Sequence, residues 1–503
     1  MKTITNKIIA CLFCIGLCTI AAAQTKTTAI PGDFPDPTII HTPTGYYAAG
    51  TSSEWAPHYP IYHSANLKQW KQVGYVFDKA PDWTAGSFWA PEYYHINNTY
   101  YIYYTARRKA DNISCIGVAT SKYPDHGFTD HGVIVAYGKE AIDGFIYNDN
   151  GQLYITFKAY GLDKRPIELL AKKLSADGLK TVGDDVISLL KDDKGQGLEG
   201  ESFLKNGKYI YLFYSAGGCC GVGCSYHVKV ARATSFAGPY EKLESDEVLQ
   251  PAPGWKCSGH GTFVQTGAGK YTYLCHAYNE RSETLTGREG MLASLSFTGK
   301  NGWPVMKALP NPTTLPDIHD TFTANKPALY WQYDFHSAVP RVKQGNGKLQ
   351  LSGTMLDNNN EGVIYGVRPV SDNFAVTTTV TNHNAALKGL SFYGTAKAAL
   401  GIGVAGNEVK FWMIQDGAFN VIDSAAIKAG TPVLLKITMQ PDKTCKVYYS
   451  QNQGKWTELA TSKVIDISFL PQWDRPQRVG LFYKGPADEY AEFKEFNLVN
   501  KGE

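Results

Sequence analysis

The apolar positions of this chain fall into short runs, many of which alternate with polar residues, and almost no run has the 3.6-residue period of a helix. Glycine, asparagine, aspartate and proline separate the runs. Short apolar or alternating runs with such boundaries are typical of β-strands joined by tight turns. The pattern therefore predicts an all-β protein.

The first three hundred residues contain a repeat, in which a turn is followed by a tyrosine-rich strand. Its five copies include NTYYIYYTA and GKYIYLFYSA, and they begin at Gly45, Asn98, Gly151, Gly207 and Gly269. A further pair of predicted strands follows each copy, which gives about four strands per repeat. Repetition of a four-stranded unit is the signature of a β-propeller. We therefore predict five blades.

The second half has a different pattern. After the proline-rich stretch GWPVMKALPNPTTLPDIHD, alternating runs such as KLQLSG and PVLLKITMQ continue to the end of the chain. About ten short strands over about 180 residues fit a two-sheet β-sandwich. We predict a propeller over residues 24–318 and an accessory β-sandwich over residues 319–503. The sandwich either binds polysaccharide or braces the propeller, and the sequence leaves both open.

Residues 1–23 have the layout of a cleaved signal peptide, with two lysines, the apolar run IIACLFCIGLCTIAAA and small residues before Gln24. A lipoprotein signal at Cys18 is disfavoured by the bulky Leu17 beside it. We expect a secreted protein without a membrane span, located in the periplasm. Loss of Lys2 and Lys7 lowers the formal charge from +3 to +1. A nearly neutral chain gives no reason to expect a nucleic acid as partner.

Ten cysteines are present, and the seven that lie beyond the predicted signal have no zinc-site spacing. Four of them are close in sequence: Cys219, Cys220, Cys224 and Cys257. One or two disulfides formed in an oxidising compartment are the expected outcome. The odd number predicts at least one free thiol.

Candidate chemistry follows from the register of the repeat. In a propeller the strand before each tyrosine motif is the innermost one, so its first residues border the central channel. Counted back from each turn, the five equivalent positions hold Asp36, Trp89 with Ala90, Asp143, Glu199 and His260. Turn capping explains an aspartate at one strand, but it does not explain three acids that converge from three repeats. Asp33 lies outside the register and is predicted to be a turn residue.

Three acids without a serine or cysteine nucleophile beside a base argue against acyl transfer. Two carboxylates are what glycoside hydrolysis needs, one protonated to assist the leaving oxygen and one ionised to activate water. A third acid nearby keeps the protonated one neutral by like-charge repulsion. Cation binding is the alternative, although three monodentate carboxylates without regular loop spacing make a poor calcium cage.

Several motifs carry a family resemblance: GDFPDPTII, FWAPE, AIDGFIYNDNGQLYI, LEGESFLKNGKYIYLFYS, SGHGTFV and GREGMLASLSFTGKNGWP. In this order, over about Ile30 to Pro310, they resemble glycoside hydrolase family 43, a five-bladed propeller family of inverting enzymes. The resemblance implies that Asp36 is the general base, that Asp143 orients and tunes the acid, and that Glu199 is the general acid. These are the three residues that the register selects.

The resemblance extends to binding residues. His260 matches a family histidine near the channel, which implies a calcium ion or a water molecule beside it; no other cofactor is expected. Arg288 matches an arginine that faces the substrate. Aromatic residues make up 13% of the chain, and Phe34, Trp55 and Trp89 are predicted to form sugar-stacking walls. Ordinary core packing is the alternative for each of them.

One position departs from the family pattern. The family usually has proline two positions after the acid, whereas this chain has Glu201. Strand alternation puts Glu199 and Glu201 on the same face. The register favours Glu199 as the acid, with Glu201 as the alternative.

The stretch SAGGCCGVGCSYHVKVARATSFAGPYEKL resembles arabinan-acting members of the family. It implies α-L-arabinofuranose as the sugar, and we predict an exo-acting α-L-arabinofuranosidase with arabinan, arabinoxylan or a related glycan as substrate. A loop pinned by a disulfide, with no bearing on substrate, is the other interpretation. A β-xylosidase, an endo-arabinanase and a non-catalytic glycan-binding propeller remain alternatives.

Overall fold

The computed structural model describes residues 25–162, 164–243, 248–356, 359–452 and 454–501. The predicted signal peptide, residues 1–23, lies outside them. Within these ranges the chain has no α-helix, only two short 3₁₀ helices at Glu283–Leu285 and Lys300–Gly302, and no helix long and apolar enough to cross a membrane. The prediction of an all-β protein is confirmed.

Five blades of four antiparallel strands follow one another along the first half, as the repeat predicts. Their strands are, in blade I, Thr38–Thr42, Gly45–Ala49, His58–Ser64 and Lys71–Phe77; in blade II, Thr84–Ile96, Thr99–Arg108, Ser114–Ser121 and Thr129–Val135; in blade III, Glu140–Asp149, Gln152–Tyr160, Glu168–Lys173 and Ile187–Lys191; in blade IV, Glu199–Asn206, Tyr209–Ala216, His227–Ala233 and Glu241–Lys242; in blade V, Trp255–Gly267, Lys270–Asn279, Arg288–Ser296 and Val305–Leu309. Leu249–Gln250 adds a short parallel strand to the outer edge of blade V. The first strands of neighbouring blades contact one another around the ring, so they are the innermost strands.

The tyrosine-rich strands are buried on both faces, because each blade is covered by a neighbour on either side. In blade II, Ile102 and Tyr104 pack into a cluster with blade I, whereas Tyr103 between them packs with blade III. All three are fully buried. Alternate side chains of a strand point to opposite faces, which explains why these strands read as continuous aromatic and aliphatic runs.

The N-terminal segment closes the ring. Thr25–Thr27 pairs with Pro312–Thr314, and the backbone N–H of Ile30 donates to the carbonyl of Gly290 on blade V. These contacts attach the start of the chain to the last blade and help to hold the ring closed.

The second half forms the predicted β-sandwich, built from two antiparallel sheets. One sheet contains Ile318–Asp320, Ala338–Gly345, Lys348–Met355, Phe374–Val380, Val433–Met439, Thr444–Ser450, Thr457–Leu459, Ile465–Asp466 and Ala491–Asn500; the other contains Val363–Val367, Leu387–Thr395, Ala398–Ala405, Glu408–Gln415, Ala418–Ala426 and Arg478–Lys484. Their inner faces share one apolar core, which includes Phe374, Leu390, Leu435 and Phe493. Strands of the first sheet such as Ala338–Gly345 and Lys348–Met355 alternate buried and more exposed residues, whereas Val363–Val367 of the second sheet is buried throughout because its other face packs with Trp55 of the propeller.

The sandwich is fixed against the propeller by backbone and side-chain contacts. Tyr333–Asp334 of the sandwich forms a two-stranded pair with Trp55–Ala56, which lies between the second and third strands of blade I. The buried guanidinium of Arg478 lies 4.6 Å from the ring centroid of Trp55 and 3.4 Å from the carboxylate of Asp33. Asp33 therefore forms part of the interface between the two halves of the chain.

Candidate active site

The innermost strands share an unusual backbone conformation where they enter the channel. One residue at this level in each blade has a positive φ: Asp36 (50°), Ala90 (44°), Asp143 (61°), Gly200 (60°) and His260 (41°). Only glycine adopts this region without strain, and strained residues cluster at functional sites. The ladder shifts register at the same level in blades II to V. These bulges turn the predicted side chains towards one end of the channel.

A cavity of about 140 Å³ opens at this end. Six residues that the sequence singled out line it, with seven others: Asp36, Trp89, Asp143, Glu199, His260 and Arg288, together with Ile142, Lys158, Tyr160, Cys219, Cys220, Trp473 and Asp474. The three acids therefore meet as the register predicts. Trp473 and Asp474 come from the sandwich, so both halves of the chain build the cavity wall.

Asp36 is held as an ionised carboxylate. Its Oδ1 accepts a hydrogen bond from Arg288 at 3.0 Å, and its Oδ2 accepts one from Thr51 at 2.7 Å. Burial acts to raise the pKa of Asp36, but the Arg288 guanidinium and the neighbouring His276 outweigh it and hold that pKa well below its usual range. A carboxylate in this state is ionised at every working pH.

Asp143 and Glu199 are the two other acids of the cavity, and the charge of Glu199 acts on Asp143. Burial raises the pKa of Asp143 to about 6, opposed by His260 and reinforced by the charge of Glu199. Glu199 Oε2 lies 2.5 Å from the Lys158 ammonium, and its Oε1 accepts a hydrogen bond from Tyr226 at 2.9 Å. Burial acts to raise the pKa of Glu199, but Lys158 outweighs it and lowers that pKa. Burial therefore favours the protonated form of Asp143, whereas Lys158 favours the ionised form of Glu199.

Glu201 does not reach the cavity. It lines a small void of about 10 Å³ further along the channel, together with Glu92. Glu201 is 3% exposed, and neither carboxyl oxygen has a hydrogen-bond partner. Burial, reinforced by the charge of Asp143, raises its pKa well above the usual range. Because only Glu199 faces the cavity, the geometry supports Glu199 as the acid.

His260 lies between two of the acids, with its Nδ1 3.5 Å from Asp36 and 3.8 Å from Asp143. Gly200 leaves the space for its ring, since a Cβ there would lie 2.6 Å from the imidazole. Within the described ranges no three His, Cys, Asp or Glu side chains are arranged to hold a metal ion. The surrounding residues thus do not fit a protein-built calcium cage, and the calcium near His260 stays a prediction.

The three aromatic residues predicted to contact sugar lie in different places. Trp89 lines the cavity, with the Arg107 guanidinium 5.7 Å from its ring centroid. Phe34 is 0% and Trp55 is 1% exposed; Phe34 packs edge-on against Tyr62, and Trp55 lies in the interface with the sandwich. The prediction that Phe34 and Trp55 form sugar-stacking walls is wrong in this structure, because neither presents a ring face to the cavity.

Two disulfides are present, within the predicted one or two. One joins the adjacent Cys219 and Cys220, and the other joins Cys224 to Cys257 on blade V. Within the described ranges the remaining cysteines are free and buried, at positions 115, 275 and 445.

Several residues of the site were not predicted. Lys158 lies on the second strand of blade III, outside the register that selects first-strand residues, and Tyr226 enters from a loop of blade IV. A lysine in a predicted buried strand is a signal that was available, since Lys is almost never buried unless paired. Trp473 had no such signal, because its place depends on how the sandwich docks.

Clustered carboxylates of divergent pKa, in a small cavity with an exposed aromatic side chain, define a glycosidase type of site. The comparisons agree. The profile of glycosyl hydrolases family 43 matches residues 26–304, and that of the β-xylosidase C-terminal concanavalin A-like domain matches residues 319–498. The chain belongs to glycosyl hydrolase family 43.

Relatives carry several activities. The extracellular exo-α-(1→5)-L-arabinofuranosidase ArbA of Cellvibrio japonicus is 27% identical over 54% of this chain and 86% of its own length. A probable arabinan endo-1,5-α-L-arabinosidase B of Aspergillus flavus is 27% identical over 59% of this chain and 98% of its own. The crystal structure of xylan β-1,4-xylosidase from Bacillus halodurans superposes with a TM-score of 0.79 at 20% identity, over 94% of this chain and 99% of that one. The last likeness shows that the whole two-part fold is shared.

Proposed function

We propose that the protein is an inverting, exo-acting α-L-arabinofuranosidase that acts on arabinan, arabinoxylan or a related pentose glycan. The observation that carries the proposal is the meeting of Asp36, Asp143 and Glu199 at one small cavity. An ionised base and an acid that supplies a proton are the two components that inverting hydrolysis requires.

In the proposed reaction, water adds to the anomeric carbon as the glycosidic C–O bond breaks. Asp36 takes a proton from the water, and Glu199 gives a proton to the leaving oxygen. Arg288 keeps Asp36 ionised and oriented through their 3.0 Å contact. Solvent then restores the proton to Glu199 and removes the one on Asp36.

The charges around Glu199 set a condition for its role as the acid. Lys158 favours the ionised form of Glu199, whereas burial favours the protonated form of Asp143. Glu199 therefore acts as an acid only after a proton is transferred to it, which requires its contact with Lys158 to weaken when the glycoside binds. A glycosidic oxygen placed beside Glu199 favours this transfer, because it needs a donor rather than a carboxylate.

The size of the cavity supports exo action. About 140 Å³ is well below the roughly 300–1,000 Å³ of drug-sized pockets, which favours one terminal sugar over an extended chain. The two arabinan-acting relatives support arabinofuranose as that sugar. A β-xylosidase is the second candidate, favoured by the description of the matched C-terminal domain.

We also propose that the protein is secreted and works in the periplasm. The signal-like pattern of residues 1–23, the two disulfides and the extracellular ArbA relative support this. Disulfides persist in oxidising compartments.

The test is hydrolysis of aryl α-L-arabinofuranoside and aryl β-D-xyloside by the wild type and by Asp36→Asn, Glu199→Gln and Glu201→Gln. We expect arabinoside cleavage, lost by about 10²–10⁴-fold in the first two variants and retained in Glu201→Gln. Preferential cleavage of the xyloside would contradict the arabinofuranosidase proposal and favour a β-xylosidase. Loss of activity in Glu201→Gln alone would transfer the acid role to Glu201, and no cleavage of either glycoside would contradict exo hydrolysis.

A further inference from the structure

The loop between the second and third strands of blade IV, residues 217–226, carries a disulfide between adjacent cysteines. Cys219 and Cys220 are both half-buried and both line the cavity. The loop is held by other means: Cys224 is bonded to Cys257, and the Gly221 N–H donates to the Tyr278 hydroxyl at 3.2 Å.

Anchoring the loop does not explain the Cys219–Cys220 bond. A disulfide stabilises a fold mainly by closing a loop of chain in the unfolded state, and the effect grows with loop length. Cysteines one position apart close no such loop. The role of the bond must then lie in what it presents to its surroundings, which is an uncharged pair of sulfurs with their methylene carbons at the cavity wall.

The disulfide lies on the side of the cavity where the leaving group departs. It follows the strand in which Ser215 pairs with Glu199, the proposed acid. Tyr226, which donates to Glu199, packs in one cluster with Cys219 and Cys224. A sugar whose oxygen receives a proton from Glu199 is therefore brought beside the disulfide.

The chemistry of this wall suits a sugar face. The charged groups of the cavity belong to the reacting end, whereas the disulfide offers an apolar, polarisable surface without hydrogen-bonding demand. Gly221, next to the pair, lies against Trp473, since a Cβ there would be 3.9 Å from the indole. The C–H face of a pentose is the apolar part of the substrate, and it gains by leaving water.

We propose that the Cys219–Cys220 disulfide is a substrate-contacting, specificity-determining surface that binds the apolar face of the departing pentose residue. The inference rests on the proposed function, because it uses Glu199 to identify the leaving-group side. It assigns to the adjacent cysteines a role in binding the second sugar of the chain.

The test compares the wild type with Cys219→Ser/Cys220→Ser, using α-1,5-linked arabinobiose, β-1,4-linked xylobiose and the corresponding methyl glycosides. For the disaccharide that is cleaved, we expect the KM to rise about tenfold, as for removal of about 50 Å² of apolar contact. The kcat should stay within about twofold, because the contact is made in both ground and transition states. The KM of the methyl glycoside should change less than about twofold, since it places no sugar against the disulfide.

Val222→Ala is the matched control, since Val222 lies in the same loop, is 64% exposed and does not line the cavity. An unchanged KM for the disaccharide in the double variant overturns the proposal. An equal rise for disaccharide and methyl glycoside, with a lower melting temperature, also overturns it by showing a structural role only.

Two further arms keep the test decisive. If the double variant does not fold, wild-type protein with its disulfides reduced by a phosphine replaces it, and unreduced Cys224→Ser/Cys257→Ser protein, which keeps the Cys219–Cys220 bond, is the comparison for loss of the other bond. If the wild type cleaves neither disaccharide, the proposed function fails. Calorimetric binding of the same disaccharides to wild type and double variant then decides the inference, and equal affinities overturn it.

Discussion

Replacement of Trp473 by alanine tests whether the sandwich forms part of the binding site. Trp473 is 65% exposed, yet it lines the cavity while its neighbour Asp474 is fixed by the Ser53 hydroxyl at 3.0 Å and by Arg288 through its backbone carbonyl. An exposed indole beside anchored backbone is placed to cover a bound sugar.

The expected magnitude follows from the exposed area. A tryptophan side chain buries about 150–250 Å², so the exposed part of Trp473 offers about 150 Å², and a sugar on one face covers about half of that. At about 25 cal/mol per Å² the contact stabilises the complex by about 2 kcal/mol, which corresponds to a rise of about 30-fold in KM on its loss.

The assay is the KM and kcat of Trp473→Ala on the preferred glycoside, with Val464→Ala as control because Val464 is 84% exposed on the same sandwich. The melting temperature of Trp473→Ala should stay close to that of the wild type, since an exposed side chain contributes little to stability. A KM within about twofold of the wild type would refute the reasoning and leave the sandwich as a brace only.

Three other changes have defined outcomes. Lys158→Met removes the cation that lowers the pKa of Glu199, so the alkaline limb of kcat/KM should move to higher pH; an unmoved limb in the pH profile would contradict this. Arg288→Met leaves Asp36 buried without its partner and should lower the free energy of unfolding by about 3–5 kcal/mol. The pKa of Asp36 is lowered in the folded state, so this stability exists above its unfolded pKa and is lost as pH falls; denaturant titrations should show the gap between the two proteins narrowing in acid. Phe34→Ala should lower the free energy of unfolding by about 3–5 kcal/mol in the same titrations, with the KM of the folded enzyme nearly unchanged. A large change in KM would instead show that Phe34 contacts the substrate.

The propeller and the acids at its channel were predictable because one local geometry is repeated. Each blade places its first strand at the channel, so a count of eight or nine residues back from the turn finds Asp36, Asp143 and Glu199 without knowledge of contacts between blades. Asp33 lies outside this count, and the structure places it at the interface with the sandwich.

What could not be predicted depends on packing between distant segments. The partnership of Lys158 with Glu199 joins two blades, and the place of Trp473 depends on the docking of the second half of the chain. Trp55 was misassigned because an aromatic residue near a site motif has the same sequence signal whether it meets a ligand or, as here, the guanidinium of Arg478.

The most direct test of the account is the configuration of the first-formed sugar, followed by proton NMR during hydrolysis of the preferred glycoside by the wild-type protein. The account predicts the inverted anomer, because Asp36 activates water and does not itself bond to carbon. Appearance of the retained anomer before mutarotation would show a covalent intermediate and contradict the roles given to Asp36 and Glu199.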